Sequence, residues 1–336
     1  MPARADYPPL QFAGCRIALG VYLAIFFGFM APYAGELLSA EGVVPDVRLN
    51  LRQVTFPNVL LIANTPSATS LFAVVAAVAG VLLALGLVRR AAAGVLWYAL
   101  ACVAHRNTML PDPSTPFTGW LLLATLLVPT GEPLTVANRS RTSVPGWRFP
   151  PALFAAIWIV LGVSYSVSGL VKSRTAEWID GRAVGLFLAN ALHRNGIIWS
   201  TLSGLPAPVI ALGTWAGLGA ELLAAPLALW RRTRPLAWLA LVSLHLVVLG
   251  TMRTPMLSLG ALLPLAFAFD AGWLAVVRRR GQDTKRSKKR PDRGPGDPRP
   301  LLRPGQQGGS ALHRLRDRRR LGAHARGARV AGEHAG

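Results

Sequence analysis

Leu161–Leu186, LGVSYSVSGLVKSRTAEWIDGRAVGL, is the stretch whose reading decides the fold. An apolar run ends there on Lys172, and Glu177, Trp178, Asp180 and Gly181 follow. At helical spacing Gly162, Tyr165, Ser168 and Lys172 share one stripe. Hydrocarbon cannot satisfy polar groups, so such a stripe faces other helices or a water-filled cavity. The stretch reads as the outer end of a membrane helix, with an interfacial segment after it.

Composition extends that reading to the rest of the chain. Of 336 residues, 52% are hydrophobic and 15% charged, and the mean hydropathy is +0.40. That is too apolar for an ordinary soluble domain and belongs to the membrane class. The net charge of +21 is uneven: residues 278–336 hold eighteen Lys/Arg against five Asp/Glu. The chain thus divides into a membrane body, residues 1–277, and a basic tail, residues 278–336. The tail is rich in Arg, Gly and Pro and has no Phe, Trp or Tyr, so it is expected to be disordered. It reads as a solvated stop-transfer segment. Contact of RSKKR and RLRDRRR with anionic lipid headgroups is the alternative, and no specific nucleic acid is expected.

The body predicts an all-α, polytopic membrane bundle of about eight spans, each near the ~30 Å hydrocarbon thickness at ~1.5 Å per residue. They cover 17–34, 70–88, 91–104, 117–128, 152–171, 208–230, 236–252 and 255–277. The first apolar run is longer than the core of a cleaved signal peptide and reads as a span. Residues 182–192 alternate at helical spacing and are expected along the interface. Placing the N-terminus inside puts Arg89-Arg90, the Arg139–Arg148 loop, Arg231–Arg234 and the tail on one side, every one net basic. Both termini are therefore expected in the cytoplasm of a multi-pass cell-membrane protein. The opposite face then carries His105, Arg106 and Asn107, Lys172 to Gly181, and Arg253.

Three residue types suited to proton chemistry, His105, Lys172 and Glu177, share that outer face, and further candidates lie within the spans. Lys172, at an apolar boundary, reads as a base or as a lysine snorkelling to the headgroups. His245, in the middle of the seventh span, reads as a proton relay, a ligand contact or satisfied packing. Glu221, inside the sixth, needs a partner, because a lone carboxylate in hydrocarbon is costly. Gly217, Gly219 and Ala220 beside it suggest close helix contact. Asp270 in the eighth span reads similarly, nearer the inner surface. Cys15 and Cys102 form no disulfide framework and no metal spacing. No P-loop, dinucleotide fingerprint, H-E-x-x-H or G-x-S-x-G is present.

The segment SYSVSGLVKSRTAEWIDGRAV resembles the Y-x-x-S-G-x-x-K…W-x-x-G run of the horizontally transferred transmembrane domain family. AEGVVPD after the first span, HRN at 105–107, Glu221 and His245 resemble further landmarks in order and spacing. The likeness covers roughly residues 11 to 275. That family includes the membrane part of vitamin K-dependent gamma-glutamyl carboxylase. The resemblance implies a lipid-soluble substrate of the quinone kind, vitamin K hydroquinone being the family's example, taken from the outer face. It implies Lys172 as base with His105 and His245 assisting, and Tyr165, Asn107, Glu177, Trp178 and Glu221 lining the substrate. Lys172 matches the first of two adjacent family lysines; Ser173 stands where the family has the second, which usually holds the base role. The carboxylases also continue into a lumenal domain, where this chain has its basic tail. The likeness therefore carries over the membrane site and not the glutamate carboxylation. A non-catalytic transporter or partner subunit with a Glu221–His245 relay is the other function the residues allow.

Overall fold

Seven of the helices open with proline at one of their first two positions, where the missing N–H costs nothing and φ is already helical. These positions let a chain with 26 prolines form its long helices among the described residues. The computed structural model describes residues 7–46, 48 and 56–273. The chain divides into two units at residue 277; the second, 278–336, lies outside the described residues, and with it the expected disordered tail.

In chain order the helices are α1 (Pro9–Met30), α2 (Ala34–Leu38), α3 (Pro66–Leu85), α4 (Arg89–Arg106), α5 (Thr115–Leu127), α6 (Pro151–Lys172), α7 (Ala176–Ile179), α8 (Ala183–Leu188), α9 (Ile197–Ser203), α10 (Ala207–Leu222), α11 (Ala224–Leu229), α12 (Arg234–Thr251) and α13 (Pro255–Ala268). No strand occurs among the described residues; a single antiparallel bridge joins His193 and Met252. Each of the eight segments expected to cross holds a helix. Four are long and apolar enough to do so by length and composition: α1 continued through α2, α3, α6 and α12. A fifth candidate is the pair α9 and α10, bent by 112° at the Gly204–Pro206 break.

Four expected spans differ from these. The third, α4, has 18 residues but is not among the helices apolar enough to cross. The sixth is broken: α10 ends at Leu222 and α11 starts at Ala224. The eighth ends at Ala268, so Asp270 lies beyond the helix, where its Oδ1 accepts from Gly272 N at 2.8 Å. The fourth, α5, is a short apolar helix of 13 residues. The interfacial stretch forms α8, which packs on α9 and α10.

Lipid offers no hydrophobic drive between helices, so contact relies on small residues that let backbones close. α1 and α3 do this with a matched pair, Gly20-x-x-x-Ala24 and Gly80-x-x-x-Ala84. A Cβ on Gly20 would lie 2.4 Å from Ala84 N, and one on Gly80 would lie 2.6 Å from Ala24 N. Neither site admits any side chain.

The contacts sort the turns onto two ends of the bundle. At one end the start of α1 meets the loop before α6: Phe12 packs against Trp147 and Phe149, and Arg89 lies over the Phe12 ring. Arg234, at the start of α12, sits over Trp158 of α6 at the same end. The loop charge pattern counts Arg89 only as part of a basic turn; the structure buries it, and Arg16 of α1 with it. Arg89 Nε lies 2.9 Å and Arg16 Nε 3.6 Å from Glu132 Oε1. Arg16 also donates to Leu83 O and Leu134 O, each at 2.7 Å, and Arg89 to Val128 O at 2.7 Å and to Thr125 O. This triad ties α1, the α3–α4 turn and the α5–α6 loop together. Arg139, Arg141, Arg148, Arg231 and Arg232 stay exposed there.

Candidate functional site

At the other end, the last turn of α6 meets the break between α10 and α11. Pro226 causes the break. It has no N–H to give Leu222 O, and its ring crowds that carbonyl. Ser166 of α6 fills the gap with its hydroxyl: Oγ accepts from Ala225 N at 2.9 Å and faces Leu222 O at 3.0 Å and Glu221 O at 3.3 Å. Gly169, one turn on, lies against α10 so closely that a Cβ would be 2.7 Å from Leu222 N. Close contact is therefore made by Gly169 and Gly162 of α6. Gly217 and Gly219, the sequence candidates for that role, have nothing nearer than a Trp178 carbon at 4.0 Å.

This packing brings Glu221 to the end of α6. Lys172 Nζ lies 2.5 Å from Glu221 Oε1, and Ser168 Oγ donates to Oε2 at 3.0 Å. The carboxylate side chain is 4% exposed and the lysine 30%, so the pair opens outward through Lys172. The ammonium also sits 4.7 Å from the centre of the Trp178 ring on α7, a favourable cation–π geometry. The loop carrying that ring is fastened to α10: Trp215 Nε1 donates to Ile179 O at 2.9 Å and Thr214 Oγ1 to Gly181 O at 3.0 Å.

A second pair lies two turns deeper, about 10 Å along the helix. Tyr165 OH is 2.6 Å from His245 Nε2 of α12, and Phe117 of α5 stacks on the tyrosine ring. His245 Nδ1 is buried without a protein partner among the described residues. His245 lies within electrostatic reach of Lys172, as does Tyr165 of Glu221.

Five of the eight expected site residues thus fall into two groups: Lys172, Glu221 and Trp178, and, two turns deeper, Tyr165 and His245. Three stand apart. Asn107 is a buried staple, donating to Leu37 O at 3.0 Å and accepting from Met109 N. Beside it Arg106 donates to Ser39 O and Val44 O, each at 2.6 Å, closing the loop after α2 onto α4. His105 faces Asn58 Nδ2 at 3.2 Å through Nδ1, with the Phe56 ring 6.0 Å away. Glu177 is exposed on α7. Sequence reasoning missed Ser166 as part of the site and Phe117 as the ring against Tyr165. Pro226 signals a free carbonyl at Leu222, but nothing in the sequence names the hydroxyl that takes it.

A lysine–carboxylate pair at the mouth of a polar column, with a tyrosine–histidine pair below, can accept, store and pass a proton. It defines an all-helical protein, among the described residues, with helices fit to cross a membrane and a buried carboxylate paired with a lysine at one end. Among known proteins, no family model, no curated sequence and no solved structure matches this chain.

Proposed function

We propose that the chain is a cell-membrane protein of about eight spans, of the horizontally transferred transmembrane type, acting on a quinone-like or other lipid-soluble substrate from the outer face. Both termini are cytoplasmic in this reading, and the basic turns hold the inner end. One observation carries the proposal: Lys172, the lone lysine of residues 1–277, is 30% exposed while its amine rests on the buried Glu221 carboxylate. In a low-dielectric site the proton between them has two homes, the ammonium or the carboxyl. With the proton on Glu221, the neutral amine of Lys172 serves as the base that takes a proton from an acidic substrate hydroxyl. Trp178 and Tyr165 supply the aromatic walls. His105 does not belong to this base; its resemblance-based role passes to the Tyr165–His245 pair.

Replacing Lys172 by Ala abolishes turnover of added hydroquinones by the purified protein while leaving membrane insertion intact; unchanged turnover removes the base assignment. A second reading rests on the broken helix, since interrupted spans mark substrate and ion sites in transporters. There the same groups form a proton relay in a transporter or partner subunit. Proton flux into proteoliposomes that is lost in Glu221→Leu/His245→Leu, with no hydroquinone turnover by the parent, selects it.

A further inference from the structure

We infer that Ser166 and Pro226 form one positioning device that aims the Glu221 carboxylate at Lys172. The inference rests on the reading of Lys172–Glu221 as the working pair. An unbroken helix would close Ala225 N onto Glu221 O and residue 226 N onto Leu222 O. Pro226 forbids the second bond, and Ser166 Oγ instead bridges Ala225 N, Leu222 O and Glu221 O from the neighbouring helix. A side chain of α6 is spliced into the backbone of α10–α11 at the residue that carries the buried charge. Ser168, two residues on, holds Oε2 of that carboxylate, and Lys172 holds Oε1. The register of Glu221 against Lys172 is set by the hydroxyl of Ser166, and Gly169 supplies the closeness that lets it reach. Ser166 touches neither pair member's side chain, so it acts through the break.

Lys172 provides its own reporter. The other lysines of the chain are Lys285, Lys288 and Lys289, all in the tail, so the Lys172 peptide is resolved by mass spectrometry in the full-length protein. The neutral amine attacks a water-soluble active ester, forming the amide and releasing the leaving group and a proton, and a carboxylate held against the ammonium slows the reaction. The test measures the acylation rate of Lys172 at one mildly alkaline pH in detergent-solubilised full chain. Glu221→Gln sets the rate of an unpaired Lys172. Ser166→Ala is expected to raise the parent rate about three- to tenfold, the span that one lost hydrogen bond covers. Ser166→Thr, which keeps the hydroxyl, is expected to stay nearer the parent. Pro226→Ala restores the missing N–H and makes the serine dispensable, so Ser166→Ala/Pro226→Ala is expected to return toward the parent rate.

Parent-like labelling of Ser166→Ala overturns the proposal while leaving the pair intact, provided that Glu221→Gln labels faster. If Glu221→Gln labels like the parent, the pair itself is refuted. A double variant that stays at the Ser166→Ala rate also overturns the coupling. Should Ser166→Ala fail to accumulate, Pro226→Ala is compared with the double variant; equal rates support the device and unequal rates overturn it.

Discussion

Removing the Glu132 carboxylate leaves Arg16 and Arg89 as two buried guanidinium groups beside one another with no counter-charge. Losing one partner of a buried ionic group costs about 3–5 kcal/mol, far more than deleting a surface pair. Glu132→Ala is therefore expected to lower the unfolding midpoint in detergent sharply, whereas Asp180→Ala, whose exposed partner is Arg182, should leave it unchanged. Equal midpoints for the two variants would contradict the buried triad. In the other cluster, Tyr165→Phe strips His245 Nε2 of its bond in a buried site. An orphaned buried polar group costs about 1–3 kcal/mol, so a modest fall in midpoint is expected there. Its absence would show that the His245 ring has another partner in solution.

Among the elements, the α1–α3 contact is the one least able to yield, because a side chain at Gly80 would strike backbone and not a movable side chain. Gly80→Leu is expected to prevent accumulation of folded protein in membranes; Gly14→Leu, where a Cβ meets nothing within 4 Å, should be tolerated. Folded yield from both variants checks this. Element positions were legible in the sequence because most apolar runs start at a proline, α4 with its Arg89-Arg90 start being an exception. The break at Leu223 was not, since hydropathy runs on unchanged from α10 into α11 and the cause is a single missing N–H. The pairing of Lys172 with Glu221 was equally hidden: each residue announced a need for a partner, but 49 residues separate them and only packing brings them together. The burial of Arg16 and Arg89 was not legible either, because a charge near a helix end looks the same in sequence whether it meets water or a buried acid.

Across the whole molecule, the contacts put exposed Arg139, Arg141, Arg148, Arg231 and Arg232 at the end of the bundle away from Lys172, whereas Arg174 and Arg182 are exposed close to it in the chain. Both native cysteines are buried, so impermeant maleimide meets little background. An introduced Arg174→Cys thiol is expected to label from outside intact cells, and Arg141→Cys only after the cells are opened. Labelling of both from the same side would break the eight-span arrangement proposed above.

The Arg16–Glu132–Arg89 triad carries a consequence for how the protein is made. Arg16 and Arg89 leave the ribosome well before residue 132, so the first four helices are made with two charges that have no counter-ion yet. Their docking stays provisional until the loop beyond α5 is translated and delivers its acid. The nascent chain thus carries a checkpoint: polypeptides cut short before Glu132 should be extracted or degraded, and those a few residues longer should stay in the membrane.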